Sequence, residues 1–386
     1  MSKRQAYQKA DAYGALNMPV YHTLAYEFSD QSTMADAFCG RSDDPDYSRV
    51  TNPTVIYFEK RVRELTGAAH VTALSSGMAA ISAAVMTLAS SGKNIVTSRH
   101  LFGNTFLLFN DLLGRFGVQT RYVDLTDASE AAKAIDADTC CVFMEIMTNP
   151  QMEVADIAAL SAVCRAHGVP LLADTTMIPF THFRASELGI DVEIVSSTKY
   201  LGSGGTSLGG LIIDYGHIEG FNSRLRKEMV MNLGAYMTPH AAYMQTLALE
   251  SLHVRYARQQ ANAMAVAEAL SKLPGVRVNY PGLPGNPARE LCEKQFGGNF
   301  SAMLTFDLPT PDDCTRFINA LKLVHRSTNL FDTRSLAIHP ASTIFGPLTE
   351  EQRRDMDISP TLIRFSAGLE NPDDIINDLV NAINQI

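Results

Sequence analysis

Four short segments of this chain carry residue types whose order and spacing suit chemistry. Ser75-Ser76-Gly77-Met78 stands between an apolar run and a helical pattern. A strand–turn–helix junction of small residues exposes backbone N–H groups at the positive end of a helix, which suits a phosphate, although Ser is also an ordinary helix cap. Ala173-Asp174-Thr175-Thr176 ends the apolar run 169–173 in an acid. Strand C-termini of a parallel sheet face the ligand crevice, so Asp174 is either a functional carboxylate or the cap of the next helix. Ser196-Ser197-Thr198-Lys199-Tyr200 sets a lysine among hydroxyls, just before the Gly-rich stretch 202–210. No Gly-Lys-Ser/Thr occurs there, so it is not a Walker loop, and no GxGxxG opens a helix. The fourth feature is Arg364, in the apolar run Leu362-Ile363-Arg364-Phe365-Ser366. A guanidinium buried without an acid is costly, so a carboxylate of protein or ligand should meet it.

Positioning these groups requires a large folded scaffold, and the composition supports one. The 386 residues, 46% hydrophobic and 19% charged, suffice for two or three domains and rule out disorder as the main state. A net charge of −9 without a basic run argues against nucleic-acid binding. The longest apolar stretch, 79–89, is broken by Ser82 and Thr87 and falls short of the roughly 20 residues of a membrane span. Met1-Ser2-Lys3-Arg4-Gln5 lacks the apolar core of a secretory signal. Six cysteines without CxxC spacing read as buried small hydrophobes of a reducing cytoplasm. Ten histidines without HExxH or HxxxH make a metal site improbable.

Residues 1–60, polar and marked by Pro19, Pro45 and Pro53, read as an extended arm. Beyond them, strand-like runs at 70–74, 94–97, 119–123, 139–143, 170–173, 194–196 and 210–214 alternate with helical patterns at 79–90, 104–116, 127–135, 156–167 and 184–188. That alternation predicts an α/β fold with a mainly parallel sheet covered on both faces. After about 220 it stops. A long helix over 239–273 leads to strands at 276–280 and 299–306, helices at 312–321 and 373–385, and a Gly/Pro-rich surface loop at 283–298. The division expected is an arm at 1–60, a cofactor domain at 61–250 and a smaller α+β domain at 251–386.

A phosphate cradle, an acid and a lysine together are what pyridoxal 5′-phosphate requires: an anchor, a partner for its ring nitrogen and an amine for its aldehyde. The 25-residue interval from Asp174 to Lys199 fits one helix and one strand. With these residues in view, the chain resembles the Cys/Met-metabolism family of fold-type-I pyridoxal-phosphate enzymes over nearly its whole length. Tyr47-Ser48-Arg49-x-x-Asn52-Pro53-Thr54 is similar to the family's N-terminal motif, which implies that Tyr47 and Arg49 reach the cofactor phosphate of a neighbouring subunit. The resemblance also implies that Ser76 and the Gly77 and Met78 amides form the phosphate turn. By the same resemblance Asn149, in Thr148-Asn149-Pro150, contacts the cofactor and the substrate carboxylate, and Ser196 and Thr198 bring their hydroxyls to the phosphate. Ser335-Leu336 through Thr343, and Arg364-x-Ser366-x-Gly368-Leu369-Glu370, resemble the motifs that grip the amino-acid carboxylate, with Ser335 and Arg364 as its ligands.

The implied fold is a large domain with a seven-stranded-type sheet plus a smaller C-terminal domain, assembled as a dimer of dimers. Leu101-Phe102-Gly103-Asn104-Thr105 stands where the family usually has Leu-Tyr-Gly-Gly-Thr. Phe102 keeps the aromatic face but has no proton to give, which favours a leaving group that departs as a stable anion. Arg334, just before Ser335, makes the segment resemble the sulfhydrylase branch, whereas Thr343-Ile344-Phe345 departs from that branch's Thr-Thr-His. The expected activity is replacement at the γ-carbon of O-acetyl-L-homoserine by sulfide or a small thiol, with Lys199, Asp174 and Phe102 at the reacting centre. The alternatives are a γ-lyase acting on methionine or cystathionine and a catalytically silent cofactor-binding assembly protein.

Overall fold

The computed structural model describes residues 11–386; the first ten residues, including the N-terminal pentapeptide discussed above, lie outside them. Seven strands form the first sheet: β1 (His70–Leu74), β2 (Asn94–Thr97), β3 (Gln119–Tyr122), β4 (Thr139–Glu145), β5 (Leu171–Asp174), β6 (Val192–Val195) and β7 (Gly210–Asp214). Their order is β1-β7-β6-β5-β4-β2-β3, parallel from β6 to β3, with β7 antiparallel to both its neighbours. Five strands form the second: β8 (Arg277–Asn279), β9 (Met303–Asp307), β10 (His325–Arg326), β11 (Leu336–Ile338) and β12 (Leu362–Ser366), ordered β10-β11-β12-β9-β8.

Period-two burial decides which side chains meet which layer. Along β4, Val142 and Met144 join one core while Cys141 and Phe143 join the core on the opposite face; along β5, Leu171 and Ala173 part from Leu172 in the same way. The helix Gly77–Leu88, with Ile81 and Ala84 inward, covers the second face. On the first face one continuous core runs from the large sheet through Leu252, Tyr256 and Val266 of the 32-residue helix Pro239–Leu270 to Leu304, Phe306 and Phe365 of the small sheet. That helix, capped by Thr238 with proline in its first turn, runs without a break through residue 250, where a domain boundary was expected.

Two stretches hold more helix than the sequence suggested. The segment 1–60, read as an extended arm, holds the helix Gln31–Phe38 and the first half of the helix Pro53–Thr66. Pro53 sits at the first turn, where a missing N–H costs nothing; Asn52 caps it, and Phe58 and Val62 bury the inner face. Within the expected loop 283–298 lies the helix Arg289–Phe296, whose Cys292 and Phe296, one turn apart, are buried; Gly297 ends it at φ +60°. Four cysteines are buried, and all six are free thiols.

Candidate active site

The parallel strands β4, β5 and β6 end at the floor of a cavity of about 290 Å³, where helix N-termini and loops of both sheets converge. Its walls include Ser76, Gly77, Met78, Phe102, Asn149, Asp174, Ser196, Thr198, Lys199 and Arg364, so ten of the residues singled out in the sequence share one chamber.

The phosphate turn is built by close approach. Ser76 caps the helix Gly77–Leu88 by accepting from the Ala79 N–H at 3.1 Å, and its carbonyl accepts from Ala80. The first-turn amides of Gly77 and Met78 are left without intrahelical partners, at the positive end of the helix. A β-carbon on Gly77 would stand 2.7 Å from Ser196 Oγ, and one on Gly210 would stand 2.0 Å from the Ser76 carbonyl oxygen. The turn, the serine and β7 can meet only because both positions are glycine.

Asp174 ends β5, where its Oδ1 accepts from the Thr176 N–H at 2.9 Å. Burial raises its pKa, while the Thr176 contact and the Lys199 charge pull the other way. Lys199 donates from Nζ to Asn329 Oδ1 at 3.3 Å. Burial, and then the Arg364 charge, lower its pKa to about 8, which leaves a share of neutral amine near neutral pH. The next residue, Tyr200, stacks on Phe331 with centroids 4.0 Å apart and planes 6° apart, and the Phe331 N–H donates to Ser366 Oγ at 2.8 Å. The lysine is thereby fastened to the C-terminal loop that carries Thr328, Asn329 and Leu330.

Arg364 is 3% exposed. Its Nη2 donates to the Thr328 carbonyl at 2.8 Å and its Nη1 to Asn149 Oδ1 at 3.3 Å. Burial lowers its pKa to about 9. Among the described residues no carboxylate forms a salt bridge with it. A guanidinium held in this way is a receptor for an anion from outside the chain.

Two expected ligands are engaged elsewhere. Ser335, fully buried, lies off the cavity wall: its hydroxyl donates to Glu370 Oε2 at 2.9 Å and accepts from the Gly368 N–H at 2.9 Å, while its amide donates to Glu370 Oε1 at 2.7 Å. It joins the two C-terminal motifs to each other rather than presenting a hydroxyl to a ligand. The Thr198 hydroxyl donates to the Gly209 carbonyl at 3.1 Å and accepts from the Gly209 amide at 3.0 Å, closing the glycine-rich loop. Tyr47 and Arg49 do not line the cavity of their own chain; Arg49 lies over the Tyr47 ring, donates to the Met231 carbonyl and borders a separate crevice.

Two wall residues, Glu145 and Thr176, and one at the adjoining groove, Asn329, escaped the sequence reading. Glu145, at the end of β4, obeys the same strand-end rule as Asp174 and was hidden because that strand was expected to stop at 143. Thr176 accepts from the Ser196 N–H at 2.8 Å and so locks the segment before the lysine to the segment after Asp174. Asn329 arrives from a loop 130 residues beyond Lys199, and no local pattern announces it. Beside the cavity a polar groove, bordered by Lys199, Ser207, Asn329, Asp332 and Arg334, opens outward; Arg334 is held there by Asp332 at 2.9 Å and by the Gly204 carbonyl.

An amide cradle with a serine beside it, a strand-end acid, a lysine with a lowered pKa and an unpaired arginine fit pyridoxal phosphate and an amino acid. The fold and the cavity define a fold-type-I pyridoxal-phosphate enzyme. Residues 3–384 match the family model described as Cys/Met metabolism PLP-dependent enzyme, and the chain belongs to that family. It is 37% identical to the O-succinylhomoserine sulfhydrylase of Pseudomonas aeruginosa over 384 residues, 98% of this chain and 93% of that protein. It is 34% identical to the L-methionine gamma-lyase of Pseudomonas putida, over 98% of this chain and 94% of that one. Among solved structures, one from Campylobacter jejuni, assigned as an O-acetylhomoserine (thiol)-lyase and carrying a pyridoxyl-lysine monophosphate, superposes with a TM-score of 0.94. It is 32% identical and covers 97% of this chain and 96% of its own. Among the described residues no helix is long and apolar enough to cross a membrane.

Proposed function

We propose that this enzyme carries out γ-replacement on O-acetyl-L-homoserine, exchanging acetate for sulfide or a small thiol to give homocysteine or methionine. Bound pyridoxal phosphate supplies an electron sink conjugated with the substrate's α-carbon. The Gly77 and Met78 amides and the Ser196 hydroxyl would hold its phosphate, Lys199 its aldehyde carbon and Asp174 its ring nitrogen. Arg364, steadied by Asn149, binds the substrate carboxylate and turns the Cα–H bond toward the lysine. Lys199 Nζ, as a free amine, would take the proton from Cα, hand it to the carbon that had been the cofactor's aldehyde and, neutral again, take one from Cβ, so that acetate leaves Cγ with its bonding electron pair.

The observation that carries the reading is Phe102 on the cavity wall. Its ring offers a flat face and no proton. Among this chain's own lining residues there is no tyrosine, histidine or cysteine, and Glu145, beside Asp174, accepts from the Phe102 amide. A carboxylic acid ionises at a pKa of roughly 4–5, so acetate leaves unassisted, whereas a thiolate with a parent pKa of about 8.5 leaves poorly. The names of the Campylobacter and Pseudomonas aeruginosa relatives support acyl-homoserine substrates. The same groups would serve γ-elimination, as the name of the Pseudomonas putida relative suggests.

The polypeptide is read further as an arm, a cofactor domain and a C-terminal domain divided near residues 60 and 250, working in the cytoplasm as a dimer of dimers. Support for the dimer comes from Tyr47 and Arg49, which stand outside the cavity of their own chain, Arg49 donating there to the Met231 carbonyl. Purified enzyme assayed on O-acetylhomoserine, O-succinylhomoserine, cystathionine and methionine, each with and without sulfide, tests the proposal. Sulfide-dependent turnover should be highest on the O-acetyl ester.

A further inference from the structure

Glu145 is a half-buried carboxyl on the cavity wall to which the foregoing mechanism gives no task. It ends β4 directly opposite Asp174 at the end of β5, so both side chains leave the same face of the sheet and line the same cavity. Its Oε1 accepts from the Phe102 N–H at 2.6 Å, across 43 residues of sequence, and the Asn149 amide faces it from the turn after β4. Among the described residues no cation forms a salt bridge with it. Lys199 turns its Nζ to Asn329, and the charges felt by that lysine are those of Arg364 and Asp174. Burial and the neighbouring Asp174 push the Glu145 carboxyl well above the ordinary range. A neutral acid still offers a carbonyl-type oxygen, which is what two backbone amides need.

The two amides belong to different segments of the cavity wall. Phe102 is the N-cap of the short helix Gly103–Leu107, with no side-chain cap of its own, and its ring lines the cavity. Asn149 holds Arg364. We propose that Glu145 is a positioning residue whose oxygen fastens the Phe102 segment to the Asn149 turn, fixing the aromatic face and the carboxylate-binding pair relative to each other. The proposal rests on the reading of this cavity as the cofactor and substrate site. It assigns Glu145 no proton transfer: the acid acts by geometry, and its charge is dispensable.

The holoenzyme separates these possibilities. Glu145→Gln keeps the oxygen and the shape of a neutral acid, whereas Glu145→Ala leaves both amides unanswered. The Gln variant should hold kcat within about threefold of the parent and keep the visible circular dichroism of the bound cofactor. The Ala variant should lose kcat by roughly 10- to 100-fold, with KM moving less, and lose most of that dichroic signal. If Glu145 acts through Phe102, then Glu145→Ala combined with Phe102→Ala should be scarcely worse than either single change. A Gln variant as damaged as Ala would show that charge is the requirement and overturn the proposal. So would an Ala variant with normal dichroism and turnover, or additive losses in the double variant. Should the Ala variant fail to fold, Glu145→Asp replaces it: drawing the oxygen back by about 1.5 Å should impair the enzyme where Gln does not, and equal behaviour of the two would refute the role. A parent protein without any cofactor band would strike instead at the reading of the cavity, and the proposal would fall with it.

Discussion

Arg364 Nη1 and Asn149 Oδ1 meet at 3.3 Å, joining a strand of the small sheet to the loop that leaves β4 of the large one. The contact spans 215 residues and forms inside the cavity, where the guanidinium also donates to the carbonyls of Thr328 and Asn329. Carbonyl and amide oxygens orient this cation without neutralising it, which leaves its charge for a substrate carboxylate.

Arg364→Ala should therefore raise KM for O-acetylhomoserine with little effect on cofactor retention. One charge-assisted hydrogen bond is worth about 1.5–3 kcal/mol, or roughly 10- to 100-fold in affinity. Arg364→Lys should recover little, because an ammonium cannot reproduce the planar fork that holds Asn149, Thr328 and a carboxylate together. Steady-state kinetics checks both, and an unchanged KM in the Ala variant would remove Arg364 from substrate binding.

Lys199→Ala should fold and still bind pyridoxal phosphate through the Gly77–Ser196 cradle, but without a covalent linkage. Borohydride treatment followed by peptide mass analysis should find no labelled lysine in the variant and labelled Lys199 in the parent. A label on a different lysine, with turnover intact, would displace Lys199 from its role.

His100 makes a pH-dependent tie between distant parts of the chain. Its Nδ1 lies 2.8 Å from Glu153 and its Nε2 2.9 Å from Asp357. The Glu153 hydrogen bond chiefly, with Asp357 adding to it, raises the histidine above its usual value against an opposing effect of burial. A histidine raised on folding contributes stability that is full below the unfolded value of about 6.5 and is lost as pH climbs through the higher folded value. The melting-temperature gap between the parent and His100→Asn should be widest near pH 6 and should close toward pH 9. A gap that stays constant over that range would contradict the assignment.

Phe102→Tyr restores a phenol at the cavity wall. Turnover of methionine or cystathionine, which must expel a thiolate, should rise, because general-acid help contributes about 10²–10⁴-fold where it is needed. Acetate departure from O-acetylhomoserine should change far less. Equal effects on kcat/KM for the two substrate classes would refute the leaving-group argument and leave the family assignment intact.

Much of this site was legible because parallel α/β folds place strand ends by local rules. Asp174, the Ser76–Met78 turn and Lys199 each follow a short apolar run that the structure turns into a strand of the large sheet, and period-two burial needs no long-range information. What stayed hidden depends on partners far along the chain. Ser335 looked like a ligand from its motif, yet only the fold brings Glu370 and Gly368 to occupy it. The helix Pro53–Thr66 was masked by its own proline, which reads as a breaker until Asn52 is recognised as the cap. Glu145 and Asn329 became visible only when two sheets closed over one cavity.

The most direct test of the account is the product balance of the cofactor-loaded enzyme on O-acetyl-L-homoserine with sulfide. Acetate should equal the sum of homocysteine and 2-oxobutyrate, with 2-oxobutyrate and ammonia as minor products that fall as sulfide rises. Formation of 2-oxobutyrate at a rate indifferent to sulfide, or no acetate release at all, would contradict γ-replacement as the activity of this enzyme.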